Sequence, residues 1–312
     1  MRSIRRALGA LSAAMVLAAC VGADAQKPAS APGRPAAPDA TTFDSSRAWE
    51  HLRRQVSFGP RPVNSAALGE TRRYITDQLK ASGIEVREQR FEADTPIGRV
   101  PMNNLIATIK GDRAERIALA THYETKLSRE SRFVGASDPA SSVAAVLELG
   151  RVLAQRKNPY TIELLFFDGE EAINRDWRDP DNTYGSRHYV QAALKAGTLR
   201  GLKAVILLDL VGDRNLNFRR EPNSTRWLTD VVWDTAKRLG YDGYFVDEEF
   251  AVGGDDHFPF LTAGVPALDI IDLDYPAWHT PGDDLDAVSA RSLQIVGDVL
   301  LAALPQIEAK LR

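Results

Sequence analysis

A short apolar run that ends in a group of carboxylates most constrains how this chain folds. The run at 162–167 reads as a buried strand, and Asp168-Gly169-Glu170-Glu171 follows it directly. Dense negative charge at the end of a buried strand is unfavourable unless something neutralises it, and a metal cation is the natural candidate. The motif therefore predicts a metal site with an adjacent carboxylate that moves protons, and a solvated acidic turn is the alternative.

Short apolar runs alternate with helical patterns along most of the chain. Continuous runs at 117–120, 205–210 and 267–271 are typical of central strands that are buried on both faces. An alternating run at 84–91 and a second run at 102–109 predict a hairpin that turns around Pro96 and Gly98. Helical patterns are found at 47–56, 66–82, 139–155, 184–196, 227–239 and 286–304. The alternation predicts a single α/β domain with three α/β/α layers around a central, twisted, mixed but mostly parallel sheet.

Histidine and acidic residues follow the predicted central strands. His122 comes after the first of them, Asp209 ends the third, and His279 follows the last after a short loop. The site of such a sheet lies at the carboxyl ends of its strands. Imidazole and carboxylate groups are suitable ligands for zinc where no thiolate is present. The sequence therefore predicts a zinc site at this edge of the sheet.

Each of these residues also has an ordinary structural interpretation. Asp138 is well placed to cap the next helix, with Pro139 at the first helical position. His122 fits a buried, hydrogen-bonded histidine, and His279 fits an exposed loop residue. Asp209 lies within an apolar run, where a buried carboxylate needs a partner. Their occurrence together at consecutive strand ends favours the metal site.

Composition excludes several classes of protein. With 44% apolar residues, 26% charged residues and a net charge of −3, the chain resembles a soluble globular protein. The charges are mixed in sign, so we expect no nucleic-acid partner, which would need a basic face. Cys20 is the only cysteine, so the folded domain has no internal disulfide and no thiolate metal ligand. We expect a monomer.

Seven motifs, in order between about residues 100 and 285, carry a resemblance to a known family. They are Thr121-His122-Tyr123-Glu124-Thr125-Lys126, Gly135-Ala136-Ser137-Asp138, Phe166-Phe167-Asp168-Gly169-Glu170-Glu171-Ala172, Tyr184-Gly185-Ser186-Arg187-His188, Leu207-Leu208-Asp209-Leu210, Asp255-Asp256-His257-Phe258-Pro259-Phe260-Leu261 and Trp278-His279-Thr280. Together they resemble the animal-type zinc-dependent glutaminyl cyclases, which lie within the wider zinc aminopeptidase-like (M28-type) group of α/β enzymes.

The resemblance implies a set of site residues. One zinc per chain would be held by Asp138, Glu171 and His279, with the fourth position open to substrate. Glu170 would be the general acid/base, and Asp209 and Asp255 would complete an acid network with it.

Three aromatic residues are implied as walls of the substrate pocket. They are Trp278, Trp177 and Tyr275. Trp177 stands one residue further from Glu171 than the family pattern has it, and Tyr275 replaces a phenylalanine.

The implied reaction converts the N-terminal glutamine of peptides or proteins to pyroglutamate and releases ammonia. Zinc would act as a Lewis acid on the side-chain amide, and a placed carboxylate would transfer the proton.

The start of the chain resembles an export signal. Arg2, Arg5 and Arg6 precede an apolar segment at 7–19 that is too short to span a bilayer. Leu17-Ala18-Ala19-Cys20 resembles a bacterial lipoprotein cleavage box, and an ordinary signal peptide is the alternative. We therefore expect a lipoprotein signal peptide at 1–20, an Ala/Pro-rich tether at 21–42 and the zinc-dependent catalytic domain at 43–312. A lipid on Cys20 would anchor the protein on the periplasmic face of a bacterial membrane, the outer membrane in a Gram-negative source.

Two other functions compete with the cyclase. A dizinc aminopeptidase of the same fold would use His122 and Asp209 as ligands to a second zinc, with Asp138 bridging both metals. The Pro-Ala-Ser-Ser sequence after Asp138 and the motifs around Asp255 and Trp278 favour the cyclase. The second competitor is a binding module that keeps the fold without catalysis, although such proteins usually lose a ligand or the acid/base.

Overall fold

The structure, a computed structural model, describes residues 41–312. The helices are α1 Ser45–Ser57, α2 Ala66–Ala81, α3 Ser142–Ala154, α4 Tyr184–Lys195, α5 Arg226–Arg238, α6 Phe258–Thr262 and α7 Ala290–Lys310. The strands are β1 Glu85–Thr95, β2 Gly98–Ile109, β3 Arg113–His122, β4 Tyr160–Phe167, β5 Leu202–Asp209, β6 Phe218–Arg220, β7 Phe245–Glu249 and β8 Ala267–Ile271.

Six strands form the main sheet in the order β1-β2-β4-β3-β5-β8. The hairpin of β1 and β2 pairs Thr95 with Gly98, so the turn consists of Pro96 and Ile97. β2 runs antiparallel to β4, whereas the pairs β4–β3, β3–β5 and β5–β8 are parallel. The prediction of a mixed, mostly parallel sheet is confirmed.

Helices cover both faces of the sheet. Leu119 of β3 faces the larger core, which α1, α2, α3, α5 and α7 complete. Its neighbours Ala118 and Ala120 face the smaller core, formed with Tyr189 of α4 and Phe260 of α6. All residues of β4 are buried, because helices lie on either side of it. This two-sided burial explains why the central strands read as continuous apolar runs.

The helix predicted at 139–155 differs in its first turn. A wide helical turn at Ala136–Ser141 leads into α3, and Asp138 within it has extended backbone angles (φ −110°, ψ 94°). A residue that precedes proline avoids the helical region. The Asp138 side chain makes no capping hydrogen bond to α3, so the interpretation of Asp138 as a helix cap is wrong.

The other predicted helices are found with shifted ends. The last begins at Ala290 behind the cap residue Ser289, whose hydroxyl accepts a hydrogen bond from the Ser292 N–H at 3.1 Å. Four short elements within residues 41–312 were not predicted, namely β6, β7, α6 and a 3-10 helical turn at Leu199–Gly201. They have three to five residues each, too few for a periodic pattern.

The predicted signal peptide, Cys20 and nearly all of the predicted tether lie outside the described residues. Within residues 41–312, no helix combines the length and the apolarity needed to cross a bilayer.

Candidate metal centre

The carboxyl ends of the parallel strands open into a pocket of about 320 Å³. The chain leaves β4 into Asp168-Gly169-Glu170-Glu171 and ends β5 at Asp209, and the loop after β8 brings in His279. Most of the predicted site residues line this pocket: Asp138, Glu170, Glu171, Asp209, Asp255, Trp177, Trp278 and His279. Parallel strands end at one edge of a sheet, so segments far apart in sequence meet there.

Asp138, Glu171 and His279 form one compact group. The His279 Nε2 atom lies 3.2 Å from Asp138 Oδ2 and 2.9 Å from Glu171 Oε1. Ligand atoms at about 2.0–2.2 Å from one tetrahedral zinc stand roughly 3.3–3.6 Å apart, so the three groups are close to the spacing that zinc needs. One atom from each residue lies within 4.8 Å of the others, which makes this a candidate metal-binding group.

Buried polar groups hold the main chain at Asp138 and Glu171 in place. The Asp283 carboxylate accepts hydrogen bonds from the N–H groups of Ser137 (2.7 Å) and Asp138 (3.1 Å). Glu124 Oε1 accepts a hydrogen bond from the Glu171 N–H at 3.0 Å. Lys126 Nζ lies 3.6 Å from Glu171 Oε2. No sequence motif marks Asp283, whereas Glu124 and Lys126 belong to the motif at 121–126.

The group of Asp138, Glu171 and His279 has two carboxylates but only one imidazole to neutralise them. Burial opposes a charged imidazole, yet Glu171 and Asp138 raise the pKa of His279 to about 10. Burial raises the pKa of Glu171 above the usual range of a glutamate. Both shifts mean that the surroundings favour added positive charge, and a divalent cation would supply it.

His122 forms a second group with two carboxylates. Its Nε2 atom lies 3.2 Å from both Asp138 Oδ1 and Asp209 Oδ1, and all three side chains are buried. These atoms also qualify as a candidate metal-binding group, and so do those of His122, Glu124 and Glu170. Because Asp138 belongs to two of these groups, a bridging arrangement is geometrically available.

Glu170 lies next to the first group. Its Oε2 atom is 3.7 Å from His122 Nδ1. Burial, reinforced by the charges of Glu171 and Asp255, raises the pKa of Glu170 well above the usual range, although His122 acts in the opposite direction. The shift favours the protonated carboxyl group, which can donate its proton.

A chain of buried titratable groups extends from the pocket into the interior. Burial raises the pKa of Asp255 well above its usual range, and Asp209 adds to the shift. Behind it, His257 Nδ1 lies 3.5 Å from Asp269 Oδ2, and His257 Nε2 lies 3.2 Å from Glu221 Oε2. Asp255, His257 and Asp269 form the fourth candidate metal-binding group. Of these groups, the sequence predicted roles only for Asp209 and Asp255, because Glu221 and Asp269 lie in segments without a motif.

The three predicted aromatic residues differ in position. Trp278 is 42% exposed and stacks on the His279 ring with 4.2 Å between centroids. Trp177 also lines the pocket. Tyr275 is buried, and its hydroxyl donates a hydrogen bond to Asp283 Oδ1 at 2.8 Å. The contact of Tyr275 with substrate therefore stays a prediction. Its hydrogen bond to Asp283 helps to hold the turn that carries Asp138.

Apolar residues complete the wall of the pocket. They are Val252, Ile271 and Leu273, none of which was predicted from sequence. Isolated apolar residues in loops carry no signal that separates pocket walls from core packing.

An α/β/α sandwich with imidazole and carboxylate groups at the carboxyl ends of its parallel strands defines the class of zinc aminopeptidase-like proteins. The sequence profile of peptidase family M28 matches residues 104–304, and the chain belongs to this family.

Proteins similar to this chain are named for two reactions. The glutaminyl-peptide cyclotransferase-like protein of Bos taurus is 32% identical over an alignment of 271 residues, which covers 77% of this chain and 70% of that protein. The crystal structure of an Acidobacteriales bacterium glutaminyl cyclase matches with a TM-score of 0.82 at 39% identity, covering 90% of this chain and 100% of that one. A leucine aminopeptidase precursor from Bacteroides thetaiotaomicron matches with a TM-score of 0.78 at 28% identity, covering 85% of this chain and 98% of that one.

Proposed function

We propose that this protein is a glutaminyl-peptide cyclotransferase, which converts the N-terminal glutamine of peptides or proteins to pyroglutamate and releases ammonia. The observation that carries the proposal is the position of Glu170. It is a buried carboxyl group with a raised pKa, directly beside a metal-binding group and inside a pocket with aromatic walls. The similarity to the bovine cyclotransferase-like protein and to the bacterial glutaminyl cyclase supports it.

One zinc ion fits the group of Asp138, Glu171 and His279. The donor set contains one imidazole and two carboxylates, the composition of many catalytic zinc sites. Glu171 Oε2 is buried without a hydrogen-bond partner within residues 41–312, which leaves it able to accept a cation. When bound there, zinc would supply Lewis-acid polarisation of the glutamine side-chain amide.

The chain's own residues provide the proton transfers. The α-amine of the substrate attacks its own γ-carbonyl carbon, so nucleophile and electrophile are already tethered and little entropy is lost. A carbon–nitrogen bond forms to the α-amine, and the bond to the amide nitrogen breaks. Glu170 takes a proton from the attacking nitrogen and returns it to the departing nitrogen, which leaves as ammonia. This second transfer is essential because an amide anion is a very poor leaving group.

Asp255 raises the pKa of Glu170, and Asp209 in turn raises the pKa of Asp255. Both are buried carboxyl groups whose pKa values burial raises. A negative charge on Asp255 disfavours a second one on Glu170, which keeps Glu170 protonated closer to neutral pH. Trp278 and Trp177 wall the pocket, where they exclude water from the glutamine side chain.

The direct test incubates the purified protein with a peptide that begins with glutamine. We expect mass loss of one ammonia, abolished by a chelator and restored by zinc. The matched control is the same peptide with an acetylated N-terminus, which has no free amine to attack. Release of free glutamine instead of ammonia would contradict the proposal.

The aminopeptidase is the second candidate function. The specific observation in its favour is the group of His122, Asp138 and Asp209, which could hold a second metal ion. The similarity to the leucine aminopeptidase precursor points the same way. Two zinc ions per chain together with release of the first residue from leucine-initiated peptides would support it, whereas one zinc and ammonia release support the cyclase.

We also propose that the protein acts as a monomer, exported and anchored through a lipid on Cys20. The sole cysteine at the position of a lipoprotein cleavage box supports the anchor. Cys20→Ser is expected to move the protein from the membrane fraction of a bacterial host to the soluble fraction. An unchanged membrane fraction would contradict the anchor.

A further inference from the structure

One arginine beside the candidate metal centre is completely buried. Arg61 lies in the segment between α1 and α2, and its side chain has no exposed surface. Within residues 41–312, the hydrogen bonds that its guanidinium donates all go to main-chain carbonyl groups, those of Gln55, Gly59, Val134 and Gly135. A buried cation is unfavourable unless hydrogen bonds satisfy it, so its burial depends on these carbonyl groups.

The guanidinium joins its own segment to the turn that carries Asp138. Its Nη1 atom donates to the carbonyl oxygens of Val134 at 2.7 Å and Gly59 at 2.9 Å, and its Nη2 atom donates to that of Gly135 at 3.0 Å. Gly135 stands three residues before Asp138 in the chain. The planar set of donors in Arg61 therefore fixes the start of this turn.

The turn is packed too tightly to adjust around a displaced Gly135. This glycine has a φ angle of 55°, a region that disfavours other residues. A Cβ atom on it would lie 1.9 Å from the Asp138 carbonyl oxygen and 2.8 Å from the Thr125 Cγ2 atom. A shift of Gly135 would therefore also move Asp138, because close-packed interiors transmit strain.

The main chain of Arg61 reaches the segment that supports Glu171. The Arg61 N–H donates to Thr125 Oγ1 at 2.9 Å, and the Arg61 carbonyl accepts from the Thr125 N–H at 3.1 Å. Thr125 directly follows Glu124, whose carboxylate accepts the hydrogen bond from the Glu171 N–H. Arg61 therefore contacts the two segments that hold the carboxylates of Asp138 and Glu171.

The charge of Arg61 is favoured by the acidic site. Burial lowers the pKa of Arg61 to about 10, while Asp283, Asp138 and Glu124 act in the opposite direction. The guanidinium is therefore charged at neutral pH. A lysine could supply the same charge but not the planar fork of donors, so the two contributions of Arg61 can be separated by substitution.

We propose that Arg61 is a positioning residue for the metal centre. It holds the segments of Asp138 and Glu171 at the spacing that one zinc ion needs, and it acts through them. The inference rests on the zinc site of the proposed cyclase. Groups that orient metal ligands typically contribute about 10–100-fold to metal affinity. Without Arg61, the two carboxylates are less well preorganised and zinc binds more weakly.

The test measures the zinc Kd of the purified protein by competition with a chelating dye. Each protein is freed of metal first, and circular dichroism confirms that it is folded at the temperature used. Arg61→Met is expected to raise the Kd about 10–100-fold. Arg61→Lys keeps the charge but cannot reach all four carbonyl groups, so its Kd should lie between those of Arg61→Met and the wild type. A folded Arg61→Met that binds zinc within about threefold of the wild type overturns the inference.

A second pair of variants tests the same junction without removing a buried charge. Thr125→Val keeps the shape of the side chain but removes the oxygen that accepts the Arg61 N–H, whereas Thr125→Ser retains this oxygen. The valine variant should bind zinc about two- to tenfold more weakly than the serine variant, the size of one hydrogen bond. Equal zinc Kd values for the two would overturn the inference even if Arg61→Met does not fold.

Arg116→Met is the matched control. Arg116 also donates hydrogen bonds to a main-chain carbonyl group, that of Thr198, and it pairs with Glu163 away from the pocket. This variant should lose stability and keep the wild-type zinc Kd. The same pattern in Arg61→Met would show that Arg61 serves stability alone, which contradicts the inference.

The outcomes also separate this inference from the proposed function. If the wild type binds zinc and releases ammonia while Arg61→Met binds zinc equally well, the role of Arg61 is wrong and the cyclase stands. If the wild type binds no zinc, the proposed zinc site is wrong and the role of Arg61 falls with it.

Discussion

Replacement of Glu170 by glutamine tests the proton-transfer mechanism directly. The substitution keeps the size of the side chain but removes the group that takes and returns the proton. General acid/base catalysis by a placed side chain contributes about 10²–10⁴-fold, which corresponds to about 2.7–5.5 kcal/mol in the activation free energy. We therefore expect kcat/KM for a Gln-initiated peptide to fall by that factor.

The structure predicts that this loss occurs without loss of stability. The pKa of Glu170 is raised because burial and neighbouring carboxylates oppose its charge more than His122 favours it. A neutral amide therefore suits the site at least as well as a carboxylate, and the melting temperature should stay the same or rise. Zinc content, measured by mass spectrometry of the metal, should stay at the wild-type value because the proposed ligands are unchanged.

Glu163→Gln provides the matched control. Glu163 is a buried glutamate of β4, the strand that precedes Glu170 in the chain. It lies away from the pocket, where it accepts hydrogen bonds from Arg116 (3.0 Å) and Tyr189 (2.6 Å). This variant should lose stability and keep its turnover per folded molecule. If zinc-loaded Glu170→Gln retains activity within tenfold of the wild type, the assignment of Glu170 as the proton carrier is refuted.

Three further predictions concern the metal, pH and packing. His279→Ala should abolish the rise in melting temperature on zinc addition, because a ligand stabilises only a protein that still has its binding site. If zinc raises the melting temperature of this variant as much as that of the wild type, the metal binds elsewhere. Burial lowers the pKa of His51 to about 4. The Nδ1 atom of this residue lies 2.7 Å from the Tyr74 hydroxyl oxygen. The unfolded state therefore binds more protons between pH 6.5 and 4, and stability is lost as the pH falls through this range. In urea unfolding, the stability of the wild type relative to His51→Gln should fall by about 2 kcal/mol between pH 7 and pH 5, and a constant difference would contradict the shift. Gly297→Ala in α7 would bring a Cβ atom within 2.2–2.6 Å of the Phe43 ring. Overpacking should lower the free energy of unfolding by about 1–3 kcal/mol, which exceeds the gain of about 1 kcal/mol from helix propensity. The variant should therefore be less stable, and an increased urea midpoint would contradict this expectation.

The layered fold was predictable from sequence because burial is periodic. Strands with helices on both faces must be apolar at every position, and β4 meets this condition along its whole length. The hairpin of β1 and β2 was predictable because its turn residues and alternating pattern are local. β6, β7 and α6 were not predicted, since elements of three to five residues leave no period to detect.

The candidate site was predictable only as far as its motifs reach. The sequence singled out Glu170, Glu171 and Asp209 because acidic residues that follow or end buried strands need a partner. It left open whether Asp138 caps a helix or faces the pocket, because both interpretations place an acidic residue before proline. The position of the Asp138 carboxylate, 3.2 Å from both His122 Nε2 and His279 Nε2, decided this question in the folded chain.

By itself the sequence determined the sheet, the family resemblance and the residues that meet at the strand ends. Only the tertiary structure decided what supports and surrounds them: Asp283, which holds Ser137 and Asp138 across about 145 positions of chain, and a cavity of about 540 Å³ between α4, α6 and the Trp177 loop. The physical reason is that local patterns record which side chains are buried, whereas hydrogen bonds and cavities between distant segments arise only when the chain has packed.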